Sequence, residues 1–180
     1  MFCSGRRLLP AAPDVLVLRM MALAAIKTGI VMPVVAALAL PGDATARIQL
    51  MTGIGNVETA YRTRRQYGGG PALGFWQVEP RTHDDIWRNF LSGRPALAEV
   101  ARRYLPAACG CVPMAEAMTE SDSYAACMAS LVFYRSPAGL PVRDNARAQC
   151  AAWKQAYNTA AGAGRVDATH IAAFQAAISA

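Results

Sequence analysis

Glu58 is the side chain in this sequence best placed to hand a proton to something other than water. Gly42-Asp43 supplies a turn and an N-cap, so a helix is predicted from Ala44 onward. Ile48, Met51 and Ile54 recur at helical spacing and make one apolar face, with Glu58 on or beside it near the C-terminal end. A carboxyl at the edge of a core loses hydration, which raises its pKa. The negative end of the helix macrodipole pushes the same way. An acid still protonated near neutrality can protonate a glycosidic oxygen. The bland alternative is a surface glutamate paired with Arg62 at i+4, and the helix taken alone favours that alternative.

The segment that follows shifts the balance. Gly68-Gly69-Gly70-Pro71 is a backbone turn that no ordinary helix or strand would keep. Leu73, Phe75 and Trp76 then return the chain to the core, and Gly74 permits a close backbone approach. Gln77 follows as an amide able to bond a sugar or orient Glu58. Conventional glycoside hydrolysis needs a second carboxylate, for which Glu79, Asp84 and Asp85 are the candidates. Asp84 and Asp85 read as charges opening a helix from Asp84 to Leu91, where acidic residues are at home for structural reasons. Glu79 is retained because, on an extended segment, it shares a side with Gln77. His83 reads as a cap or loop residue, and His170 lies far along the chain. No metal-ligand spacing and no cofactor motif is present, so neither a metal nor a cofactor is expected.

These motifs resemble a known family. Val57-Glu58-Thr59, the glycine-rich turn, and Ala72-Leu73-Gly74-Phe75-Trp76-Gln77 are similar to the signature of lytic transglycosylases and goose-type lysozymes. That signature is a helix-borne Glu-Ser, a loop, and a Gly-Leu-Met-Gln-like strand. Arg64-Arg65-Gln66, Gly69-Gly70-Pro71-Ala72 and Gly74-Phe75-Trp76-Gln77 resemble lysozyme-like proteins of tailed bacteriophages, as does Glu79 to Trp87. Trp153-Lys154-Gln155-Ala156-Tyr157-Asn158-Thr159 resembles their Trp-Lys-x-x-Tyr-Asn-Thr. The likeness spans about residues 43–160. It implies a lysozyme-like helical domain with a short Gly-rich turn or hairpin beside the catalytic helix. Glu58 would be the acid/base, Gln77 a cleft residue, and Tyr157 and Asn158 contacts on the substrate side. The implied substrate is the glycan strand of peptidoglycan, and the implied setting is a phage virion acting at the bacterial periplasm or cell wall. With Glu58 alone as acid and then base, a lytic transglycosylase route is favoured, in which the muramoyl hydroxyl attacks internally. A non-catalytic virion component keeping the scaffold is the other reading, since a fold does not guarantee its chemistry. Thr59 departs from the family's Ser; it keeps the hydroxyl on a stiffer side chain.

Holding such a site requires a scaffold, and the composition predicts a mainly α one. Alanine is abundant, Val/Ile runs are short, and 180 residues suffice for one self-supporting core. Further helices are predicted from Pro95 to Leu105, from Ser121 to Tyr134 as the buried central element, from Asp144 to Asn158, and from an Asp167 cap to Ser179. Trp76, Trp87 and Trp153 read as core rather than sugar platforms. Residues 1–42 are expected to be an apolar N-terminal helical segment, ahead of a domain over 43–180. The segment reads either as buried helix, or as a signal ending at Ala44-Thr45-Ala46; a true start at Met20 or Met21 is a third option. Its longest uncharged run, Thr28 to Gly42, is too short for a comfortable membrane crossing, which leaves an envelope protein anchored through residues 15–41 as the weaker third reading of function.

A net charge of +6 draws the protein to acidic polymers, the bacterial wall among them. Arg6/Arg7, Arg64/Arg65 and Arg102/Arg103 are scattered, and aromatics do not alternate with them as a nucleic-acid platform would need. No nucleic-acid partner is expected; other virion proteins are. The five cysteines, an odd number without a CxxC pair, argue against a zinc ribbon or thioredoxin-type site. Cys127 and Cys150 are left either bridged to the Cys109/Cys111 loop or as buried small hydrophobes.

Overall fold

The computed structural model describes residues 22–110, 112–157 and 164–180; Cys3, Cys111 and Asn158 lie outside them. The chain is mainly helical, and the described residues contain isolated antiparallel bridges but no strand. Helix α1 runs through 22–26, a π-helical turn Lys27–Val31, and Met32–Leu38. Pro33 lacks a backbone N–H, and the wide turn just ahead of it relieves the crowding that its ring would cause. Leu23, Val31, Val34, Val35 and Leu38 are buried against the rest of the chain. Lys27 ties α1 to the far end of the chain. Its Nζ donates to the carbonyls of Ala177 (2.9 Å) and Ile178 (3.2 Å), at the negative end of the last helix. No helix among the described residues is long and apolar enough to cross a membrane.

Helix α2, Ala44–Thr59, is capped by Asp43, whose side chain accepts from the Thr45 and Ala46 amides. The expected single apolar face is corrected. Leu50, Met51 and Ile54 are buried, but so are Arg47, Gln49, Thr52 and Asn56 on other sides, while Ile48 is only half-buried. The polar residues are tolerated inside because most of their polar atoms are hydrogen-bonded, though Arg47 Nε has no partner. Arg47 Nη2 donates to Pro41 O (2.7 Å), Gln49 Nε2 to Asp144 Oδ1 (2.7 Å), and Asn56 Nδ2 to Ala173 O (2.9 Å).

Helix α3, Pro80–Asp85, continues through the π-helical turn Ile86–Phe90 and the 3-10 turn Leu91–Gly93. It is followed by α4 (Pro95–Arg103), α5 (Ala117–Glu120) and α6 (Asp122–Arg135). The chain ends with α7 (Ala146–Tyr157) and α8 (Ala168–Ser179). Ser121 caps α6, which is the buried helix its composition predicted, and Asp167 caps α8. Helix α2 lies at the centre, packed on α8 and touching α1, α6 and α7. Cys109, Cys127 and Cys150 are free; burial pushes the Cys127 thiol up to about 12, so it behaves as a small hydrophobe.

Two sequence readings around α3 are overturned. The helix begins at Pro80, so Asp84 and Asp85 sit at its end rather than its start. Proline at the first helical position, after extended Glu79, sets that boundary. His83 is no loop residue but fully buried within α3. The Trp87 indole N–H donates to Tyr124 Oη (2.9 Å), and His83 Nε2 lies 2.7 Å from the same oxygen. The Asp84 carboxylate, 2.8 Å from Nδ1, can only accept, so in the neutral imidazole the proton sits on Nδ1 and Nε2 accepts from the Tyr124 hydroxyl. Desolvation holds the His83 pKa below 6.5, against the pull of Asp84. The unfolded chain therefore binds a proton first, and stability that is complete above pH 6.5 is lost as the pH falls toward the native pKa. In a Glu58→Gln background, urea unfolding should show stability declining from pH 7 to pH 5. Equal slopes in that background and in its His83→Asn derivative would refute the assignment.

Candidate active site

The C-terminal end of α2 is cinched from three sides. Ala60 and Tyr61 both take left-handed backbone conformations (φ 48° and 55°), turning the chain sharply out of the helix. The Tyr61 hydroxyl reaches back to donate to Thr52 O (2.8 Å), over a surface left open by Gly55. A Cβ at Gly55 would sit within 3.0 Å of the Tyr61 ring, so only glycine allows this return. The Thr59 hydroxyl donates to Phe75 O (2.9 Å) and accepts from the Tyr61 amide (3.2 Å). The hydroxyl shared by Thr and Ser thus ties the end of α2 to the segment carrying Gln77. Thr59→Val leaves the buried Phe75 carbonyl without this donor and should cost about 1–3 kcal/mol. Thr59→Ser loses only a buried methyl and should cost under about 1 kcal/mol. Urea midpoints measure both, and equal losses would show that the hydroxyl contributes nothing.

Residues 64–78 fold back on themselves. Leu73 and Val78 exchange both backbone bonds at 3.0 Å, Gly74 N donates to Arg64 O (2.9 Å), and Gln66 N to Ala72 O (3.1 Å). Arg64 fastens this unit to α6 through a bidentate pair with Asp122 (2.7 Å to each oxygen) and lies over the Phe75 ring. Gly74 is left-handed (φ 71°), and a Cβ there would strike Ala125 and the Met118 carbonyl. The backbone approach expected at this glycine is therefore present. Trp76 is fully buried, its indole N–H donating to Met51 O in the middle of α2 (2.8 Å). Gln77 stands on the tight turn with φ 49°, its Nε2 bonded to Gly74 O (2.9 Å). The extended geometry expected from Gln77 to Glu79 is corrected at Gln77, because the Leu73–Val78 bridge closes a turn over Gly74 to Gln77; Glu79, beyond it, is extended. A non-glycine residue in this backbone region is strained by about 1–3 kcal/mol, a cost found most often at functional sites.

Glu58, Gln77, Glu79 and Tyr157 line one cleft of about 710 Å³, together with Trp153 and His170. That size is in the range of small-ligand sites. Glu58 is not a surface partner of Arg62. Its Oε1 accepts from the Trp153 indole N–H at 2.8 Å. Burial raises the Glu58 pKa, opposed by the Trp153 bond and the His170 charge. The Tyr157 hydroxyl donates to Ala129 O (3.2 Å), and burial together with the Glu58 charge raises its pKa well above the usual value. The Tyr157 hydroxyl is therefore a fixed neutral group, not a base. Glu79 is salt-bridged to Arg81 at 2.6 Å. Asp84 is bonded to His83, and Asp85 to Arg135 and Asn89; neither is among the cleft residues. Asn158, expected beside Tyr157, is outside the described residues. No group of His, Cys, Asp and Glu able to hold a metal occurs among the described residues.

Two members of this site escape the sequence reading. Trp153 is buried, as a core residue should be, but it also holds Glu58 across 95 residues of chain. His170, remote in sequence, stacks its ring on Trp153 (centroids 5.3 Å apart, planes 24° apart). The Trp-Lys-x-x-Tyr-Asn-Thr likeness could have pointed to Trp153; nothing local to His170 signals its place. In comparisons with known proteins, the chain matches no family model, no curated protein and no solved structure.

Proposed function

We propose that this protein cleaves the glycan strands of peptidoglycan, with Glu58 as the general acid and then the base. The observation that carries the reading is the joining of Glu58, Gln77, Glu79 and Tyr157 in one cleft, with Glu58 sheltered and gripped by Trp153. The Trp153 N–H occupies Oε1, so the acidic proton of Glu58 belongs on Oε2. Oε2 would give that proton to the glycosidic oxygen as the bond to the anomeric carbon breaks. As Glu58 becomes a carboxylate, the Trp153 N–H bond strengthens and stabilises the new charge. The muramoyl hydroxyl would then bond to the anomeric carbon and return its proton to Glu58, leaving the enzyme as it began.

Glu79, paired with Arg81, is the other carboxylate among the described cleft residues; the transglycosylase route is favoured because the resemblance gives the acid and base roles to Glu58 alone. The likeness of Glu58 to Gln77 and of Trp153 to Tyr157 to lysozyme-like proteins of tailed phages supports a lysozyme-like domain. It also supports virion-borne opening of the wall as the setting, and the positive charge suits an anionic wall polymer. Mass spectrometry of digests of purified peptidoglycan tests this reading. Cleavage by internal attack gives termini one water lighter than hydrolysis does. Reducing termini would replace the transglycosylase with a hydrolase. Equal release by wild type and Glu58→Gln would leave a scaffold without this chemistry.

A further inference from the structure

We infer that Asp167 and His170 form a clamp that positions the Trp153 indole on Glu58. The catalytic meaning of the clamp rests on the function proposed above; its geometry does not. Asp167 Oδ1 accepts both the His170 backbone N–H (3.0 Å) and the His170 ring at Nδ1 (2.7 Å). One carboxylate oxygen thereby caps helix α8 and fixes the imidazole standing on its first turn. The imidazole lies flat against the indole, and Phe174, one turn further along α8, meets the same indole at 6.2 Å. Helix α8 thus grips Trp153 at two points, at His170 and Phe174. The gripped ring donates to Glu58 Oε1 at 2.8 Å, and His170 itself lines the cleft. A rotation of the indole by a few tens of degrees would carry its N–H off the carboxyl, since hydrogen bonds weaken steeply with angle. Phe174 is already seated deep in the core. Of the two contacts, the one at His170 is partly exposed, and it alone carries a separate anchor. His170 is therefore a positioning residue acting through Trp153, in addition to the direct effect of its charge on Glu58.

Nuclear magnetic resonance of the indole N–H groups in the full chain tests this without reference to turnover. Trp76 and Trp87 donate to Met51 O and Tyr124 Oη, away from the clamp, and report on the fold. In wild type the Trp153 signal should follow the ionisation of Glu58, a titration absent from Glu58→Gln. In His170→Ala it should lose that titration and exchange with solvent at least about tenfold faster, while Trp76 and Trp87 stay in place. His170→Phe, which retains a ring on the indole, should restore most of the Trp153 signal. An unchanged Trp153 titration in His170→Ala overturns the clamp. Should His170→Ala disturb all three indoles, Asp167→Gly, which is tolerated at a helix cap but leaves the imidazole without its acceptor, takes its place under the same criterion. On peptidoglycan, His170→Ala should lower kcat about tenfold with KM within about twofold, as expected when a catalytic group is misaligned. A wild type with no turnover but the expected indole behaviour would remove the proposed function and leave the clamp standing.

Discussion

Glu58→Gln should, on the proposed function, lower the rate of peptidoglycan cleavage by about 10²–10⁴-fold, the usual worth of a general acid, and at the same time make the protein more stable at pH 7. Glutamine preserves the shape of the side chain and keeps an oxygen to accept from Trp153, so the cleft should hold its form. It has no proton to give. The stability gain follows from the direction of the Glu58 pKa, which burial raises above its ordinary 4.5. Below pH 4.5 both the folded and unfolded chains carry the proton, and Glu58 has no cost. As the pH rises, the unfolded chain ionises first, and stability is lost until the folded pKa has been passed. Glutamine removes that loss, so its advantage should grow from near zero below pH 4.5 to a plateau near neutrality. Activity should decline over the same upper range, because the acid is used up by ionisation. Melting temperatures and initial rates over one pH series measure both halves. A glutamine variant that is inactive but less stable at pH 7 would mean that Glu58 is a structural acceptor rather than a strained acid.

What the sequence disclosed about this site was what local chemistry can encode. Asp43, Ser121 and Asp167 each bond amides within three residues, so their caps could be read from residue type and position. The position of Glu58 near the end of α2 followed from the same helical spacing. The environment of Glu58 did not, because its partner lies on α7 and the ring behind that partner on α8. Helix α2 shows the same limit. Hydrophobic periodicity assigns one face to the core, but Gln49 and Asn56 enter it by meeting Asp144 and the Ala173 carbonyl far along the chain. His83 is misplaced for a related reason: a buried imidazole is unremarkable in sequence until Tyr124 and Trp87 are brought beside it. A titratable residue whose partners are distant in sequence reads as surface until the fold supplies them.

That dependence makes the α2–α8 contact a critical packing surface, and Gly53→Ala should cost about 3 kcal/mol. Gly53 lies where the Phe174 ring crosses α2, and a Cβ would fall within 3.0 Å of three ring atoms. In an open helix the same change is favourable by up to about 1 kcal/mol, since alanine loses less backbone freedom. Overpacking a tight core costs about 1–3 kcal/mol and sometimes more, and here it should win. The ring has little room to yield, because Phe174 is fully buried and leans on Trp153. Helix α8 cannot easily slide, because Asn56 holds its Ala173 carbonyl and Lys27 its last carbonyls. At about 2–4 °C per kcal/mol for a chain of this size, the melting temperature should fall by roughly 10 °C. Gly29→Ala on α1, where a Cβ meets nothing within 4 Å, is the control and should be neutral or stabilising. Phe174→Leu should recover part of the loss when combined with Gly53→Ala, because the smaller side chain vacates the space. Any displacement of Phe174 also moves the helix that bears His170, so cleavage by Gly53→Ala should fall even where the variant remains folded. A variant as stable as wild type would show that α8 can retreat from α2, and the rigid grip on Trp153 would go with it.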